Sequence, residues 1–82
     1  MDYSEKIKKT IEKYKTNQYN EVEFQESLNS IVSLMTEYEY FEFRFFLHNV
    51  TEEMERINFL VDEEFIREEY LKLINQIERF LT

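Results

Sequence analysis

The chain has 82 residues, 18 Asp and Glu against 10 Lys and Arg for a formal net charge of −8, and no Cys. That length holds one domain, residues 1–82, near the lower limit of what a single hydrophobic core stabilises, with no disulfide or thiolate metal site to help. The negative balance argues against direct binding to nucleic acid or to an anionic membrane, both of which repel it.

Packing must therefore hold the fold, and the composition provides for it: eight Phe and six Tyr make the chain 17% aromatic, with seven Leu, seven Ile and four Val. Gly and Pro are both absent, and so is Ala. Tight hairpins and β-rich folds need many turns, most of them built on Gly, Pro or Asn, so few turns and long helices are expected. Gly, Pro and Ala also share GC-rich codons, and their absence hints at an AT-rich genome, that of a low-GC bacterium or its phage. The N-terminal Met1-Asp2-Tyr3-Ser4-Glu5-Lys6 lacks the apolar run of a signal peptide, and no apolar run exceeds three residues. The cytoplasm is the expected compartment.

Apolar residues recur at alternating steps of three and four, the helical period. Helix 1 is expected over about 3–16 on the stripe Tyr3, Ile7, Ile11, Tyr14, opened by an Asp2/Glu5 capping box. Helix 2, about 21–35, carries Phe24, Leu28, Ile31, Met35, and Asn20 with Glu23 repeats the box. Helix 3, about 37–61, is the longest: Tyr40, Phe43, Leu47, Val50, Met54, Ile57, Val61. The stripe slips by two residues after Tyr38, where Thr36 and Glu39 offer another box. One helix from 21 to 61 would reach roughly 60 Å at 1.5 Å per residue, too long for a compact domain of this size. Asn49-Val50-Thr51 is a place where helix 3 could kink. Helix 4, about 63–81, carries Ile66, Tyr70, Leu73, Ile77, Phe80, with Asp62, Glu63 and Glu64 favouring its N-terminus. Phe41-Glu42-Phe43-Arg44-Phe45 alternates like a strand, but a lone strand has no partner and the helical stripe runs through it. The fold class is all-α: a small four-helix bundle with a long central third helix.

Chemistry is scarce. His48 is the only histidine, there is no Cys, and the glycines of a nucleophile elbow or a phosphate loop are missing. A di-iron bundle needs Glu three residues before each of two His, and here that residue is Phe45. Asp62 with Glu63 could hold a divalent ion loosely, though helix capping accounts for both. No catalytic residue, metal or cofactor is expected, and the chain reads as a non-enzyme.

The charge is lopsided. Residues 1–16 carry five Lys, whereas residues 51–69 hold Glu52, Glu53, Glu55, Asp62, Glu63, Glu64, Glu68 and Glu69 against Arg56 and Arg67 alone. Such a field attracts a basic protein and speeds its association in a salt-dependent way. The alternative is that the carboxylates only keep the bundle soluble. The aromatics Tyr38, Tyr40, Phe41, Phe43, Phe45 and Phe46 bear two readings as well. Either helix 3, apolar on two sides over this half, is central and touches all the others, or an exposed aromatic patch marks an interface such as a homodimer.

Ile7-Lys8-Lys9 through Tyr14-Lys15, then a polar connector and Glu23-Phe24-x-x-x-Leu28, open a pattern that spans the chain in outline. It continues through the acidic middle to Tyr70-x-x-x-Ile74-x-x-Ile77-x-x-Phe80. The pattern resembles the small helical immunity proteins of colicin-like and contact-dependent growth inhibition toxins. Members often place Gly in the first connector, where this chain has Asn17-Gln18-Tyr19-Asn20. The resemblance implies an acidic bundle that binds a toxin's nuclease domain and covers its basic active site. Its contact residues would be the eight carboxylates Glu52, Glu53, Glu55, Asp62, Glu63, Glu64, Glu68 and Glu69, with Tyr38 or Tyr40 as aromatic anchors. Two other functions fit the same features: a small regulatory or phage adaptor working through its aromatic face, and an acidic nucleic-acid mimic.

Overall fold

The computed structural model describes residues 3–81, of which 87% are helical, with no strand among them. Four helices follow in order: α1 Tyr3–Lys15, α2 Glu21–Leu34, α3 Phe41–Leu60 and α4 Glu63–Leu81. A short 3-10 turn, Tyr38–Tyr40, runs directly into α3.

Each junction has a local cause. Asn17 adopts φ 65°, and the amides of Asn17 and Gln18 donate back to the carbonyls of Tyr14 and Lys13 at 3.1 and 2.8 Å. That pattern is a Schellman closure, with Asn in the left-handed position that Gly usually fills. At α2 the expected capping box forms: the Glu23 amide donates to Asn20 Oδ1 at 2.8 Å, and the Asn20 amide donates to Glu23 Oε1 at 3.0 Å. The Asp2/Glu5 box involves Asp2, which lies outside the described residues.

The expected Thr36/Glu39 box does not form. Glu37 occupies the cap position without a side-chain cap bond. Its carboxylate instead lies 2.9 Å from the Tyr3 hydroxyl, which pins the start of α1 to the α2–α3 connection. The α3–α4 reversal needs no Gly because Val61 is extended (φ −95°, ψ 139°), and the Phe65 amide donates to the Asp62 carbonyl at 2.8 Å. Helix α3 is unbroken through Asn49-Val50-Thr51. Thr51 Oγ1 donates to the His48 carbonyl at 2.8 Å on the helix itself, so no kink is released.

Side-chain contacts set the directions. Tyr3 at the start of α1 meets the Leu34 carbonyl at the end of α2, and Tyr14 donates to Glu21 at the start of α2 at 2.7 Å. Asn58 near the end of α3 donates to Gln25 early in α2 at 2.9 Å. Phe80 at the end of α4 stacks on Phe43 and Phe46 at the start of α3, with centroids 4.9 and 4.6 Å apart. Neighbours in sequence are thus antiparallel, an up-down-up-down bundle closed by the Tyr14–Tyr70 contact between α1 and α4.

The core follows the stripes the periodicity marks, except that Phe80, expected to close the fourth, is 47% exposed at the end of α4. Tyr3, Ile7, Ile11, Tyr14, Phe24, Leu28, Ile31, Met35, Leu47, Val50, Met54, Ile57, Tyr70, Leu73 and Ile77 are all buried, joined by Val32 and Ile74. Tyr40, Phe43, Val61 and Ile66 pack on its edge. Helix α3 does not bury both of its apolar faces. It packs on α2 and α4, while α1 packs on α2. Phe41 and Phe45 are therefore 60% and 61% exposed. Four antiparallel helices in a ring give each helix two neighbours, which leaves an outer face on α3 for those two rings.

Candidate functional site

The eight carboxylates expected to form the site sit on the second half of α3, the α3–α4 reversal and the first half of α4. The antiparallel pairing of α3 and α4 folds the two stretches back on each other, so residues distant in sequence share one end of the molecule. Glu52 stands on the outer face of α3 with a carboxylate oxygen 3.0 Å from His48 Nε2. Glu53 pairs with Arg56 one turn on, which holds the Arg56 guanidinium above its ordinary value. Glu69 pairs with Lys72 at 3.1 Å. Glu53 and Glu69 line the same groove between α3 and α4.

The two arginines within residues 51–69 do little to neutralise the rest. Arg56 is engaged by Glu53. Arg67 turns inward toward α1, where it stacks over the Tyr14 ring at 5.0 Å and donates to the Lys15 carbonyl at 3.3 Å. Among the described residues, no Lys or Arg lies within ion-pair distance of Glu55, Asp62, Glu63, Glu64 or Glu68. All five are exposed. The nearest α1 lysine with a partner is engaged elsewhere: Lys15 pairs with Glu78 at 3.1 Å. Five carboxylates without an ion pair leave an excess of negative charge at the α3–α4 end.

The expected aromatic anchors do not join this cluster. Tyr38 is 92% exposed, but it precedes α3, whereas Asp62, Glu63 and Glu64 follow it. The 20 residues of α3 separate the two groups by about 30 Å at 1.5 Å per residue. Tyr40 is half-buried, edge-on to Tyr3 with centroids 5.0 Å apart, so its ring is part of the packing.

The apolar residues beside the carboxylates are others: Phe59, 90% exposed, Leu60, 70%, and Phe65, 48%. They stand at the reversal among Glu55, Asp62, Glu63, Glu64 and Glu68. A signal for them exists in the chain. The buried stripe needs only Ile57 and Val61 here, so Phe59 and Leu60 are surplus to the core. A fully exposed Phe costs solubility, and an acid-ringed apolar centre has the layout of a protein-binding surface with a charged rim.

Other chemistry finds no geometry. His48 is exposed, with its Nε2 3.0 Å from a Glu52 carboxylate oxygen. Among the described residues no three of His, Asp and Glu converge as a metal-ligand set, and Asp62 with Glu63 lines only a shallow surface hollow with Glu64. Among the described residues no helix is long and apolar enough to cross a membrane. The chain matches no protein-family model, no curated protein and no solved structure.

Proposed function

We propose that this protein is an inhibitor of the immunity type, which binds and neutralises a basic toxin domain, a nuclease domain in the first instance, through the acidic end of its bundle. The carrying observation is the cluster Glu55, Asp62, Glu63, Glu64 and Glu68, unpaired by any Lys or Arg and set around the exposed Phe59, Leu60 and Phe65. Desolvated apolar centres supply most of the affinity of such surfaces, and the charged rim supplies orientation and rate. A cationic partner meets both. The carboxylates would stand where substrate phosphates stand and exclude them.

Neutralisation is the test. A neighbouring gene for a basic nuclease domain is sought in the genome, and that domain is assayed for DNA cleavage with the wild-type protein and with a variant carrying Glu55, Asp62, Glu64 and Glu68 all changed to Lys. Protection by the wild type, lost in a variant that keeps its helical circular dichroism, is expected. Equal protection by both proteins removes the acidic end from the mechanism.

One observation favours a second reading, an adaptor that acts as a homodimer: Phe41 and Phe45 are exposed on α3 beside Val32, Arg44 and His48. Light scattering separates the two, because the inhibitor is a monomer in the absence of its partner.

A further inference from the structure

Helices α3 and α4 do not close fully on each other. Two adjoining hollows of about 380 and 250 Å³ lie between them, sharing Glu53, Ile57 and Glu69. Together they form one groove from Phe46 and Gln76 to Leu60 and Val61 at the reversal. Its floor is apolar: Val50, Ile57 and Leu73, with half-buried Phe46 and Val61. Glu53 and Glu69 stand on its walls with their partners Arg56 and Lys72, and the unpaired Asp62, Glu63 and Glu64 lie at the reversal where it ends. From Phe46 to Leu60 the groove follows α3 for about 21 Å at 1.5 Å per residue, the length of about four helical turns.

We infer that this groove docks a basic amphipathic helix of the partner protein, a proposal that rests on the acidic end being the binding face. An apolar floor of this length takes anchors spaced three and four residues apart on an incoming helix. The charge sets the sign of the flanks. Carboxylates on both walls and at the open end call for Lys or Arg beside the incoming apolar stripe, and they repel an acidic helix. Arg56 and Lys72 are no barrier, since each holds its glutamate in an exposed ion pair that an incoming cation exchanges at little cost.

The probes are three labelled peptides of equal length, about four turns: a Leu/Lys helix with one apolar face, a scrambled peptide of the same composition without a face, and a Leu/Glu helix. Binding is read by fluorescence anisotropy at low and physiological salt. The Leu/Lys helix is expected to bind about tenfold or more tightly than its scrambled twin, and the Leu/Glu helix not at all. Asn49→Trp and Gln76→Trp, both at exposed positions on the groove's edge, are expected to erase the preference while leaving the scrambled peptide's weak binding intact. Equal binding of the two basic peptides, or a preference untouched by both substitutions, overturns the groove and leaves the acidic surface standing. Failure of both basic peptides to bind at low salt overturns the acidic surface itself, and the groove with it.

Discussion

Two phenylalanines identical in the chain should behave oppositely when truncated. Phe24 is fully buried, its ring 5.0 Å from that of Tyr14 and 6.3 Å from that of Tyr70. Phe24→Ala removes the ring from this three-ring cluster and leaves a cavity that the helices cannot collapse without moving both tyrosines. Such truncations cost about 3–5 kcal/mol. A chain of this size has about 4–12 kcal/mol of stability in total, so the loss is between a quarter of it and all of it. Phe59 is 90% exposed and has almost nothing to lose, so Phe59→Ala should stay within about 0.5 kcal/mol of the wild type. Urea unfolding followed by far-ultraviolet circular dichroism measures both, and the Phe24→Ala melting temperature should fall by about 12 °C or more. A loss below about 1 kcal/mol for Phe24→Ala, or equal losses for the two variants, refutes the assignment of one ring to the core and the other to the surface.

Two further outcomes follow from particular groups. Burial pushes the Tyr70 hydroxyl up to about 12, and burial with a hydrogen bond to Glu21 raises that of Tyr14 further. In the unfolded chain both ionise near 10, so their stabilisation is complete below about pH 10 and is lost as the pH rises through the folded values. Urea midpoints should therefore drop from about pH 10 upward, and the drop should be shallower in Tyr70→Phe, which has no hydroxyl to ionise. At the left-handed Asn17, Asn17→Gly should leave stability unchanged or slightly raised. Asn17→Val, with a branched side chain at positive φ, should cost about 1–2 kcal/mol in the same assay.

The acidic half of the candidate site was legible as a local excess of Glu and Asp, because charge can be counted along the chain. Its apolar half left only a faint mark, Phe59 and Leu60 lying off the Ile57–Val61 stripe. Tyr38 and Tyr40 look like anchors for the acids until α3 puts its full length between them, and Tyr40 then turns inward on Tyr3. Phe59 and Leu60 look like more core until the bundle shows that Ile57 and Val61 already fill that turn.

What the order of residues determined by itself is the set of helices and the face each one buries. Spacings of three and four are a property of a single helix, so Ile7-Ile11-Tyr14 or Leu47-Val50-Met54-Ile57 declare their buried side without reference to anything distant. The Asn20–Glu23 box and the Asn17 turn are equally local. What only the tertiary structure decided is which helices are neighbours, and hence where Phe41, Phe45, Phe59 and Phe65 end up. A second apolar face is core if another helix lies against it and interface if none does, and that depends on how four antiparallel rods share one centre. The same arrangement turned α3 and α4 back on each other, gathered carboxylates from two stretches of chain at one end, and left between them a groove that neither helix carries alone.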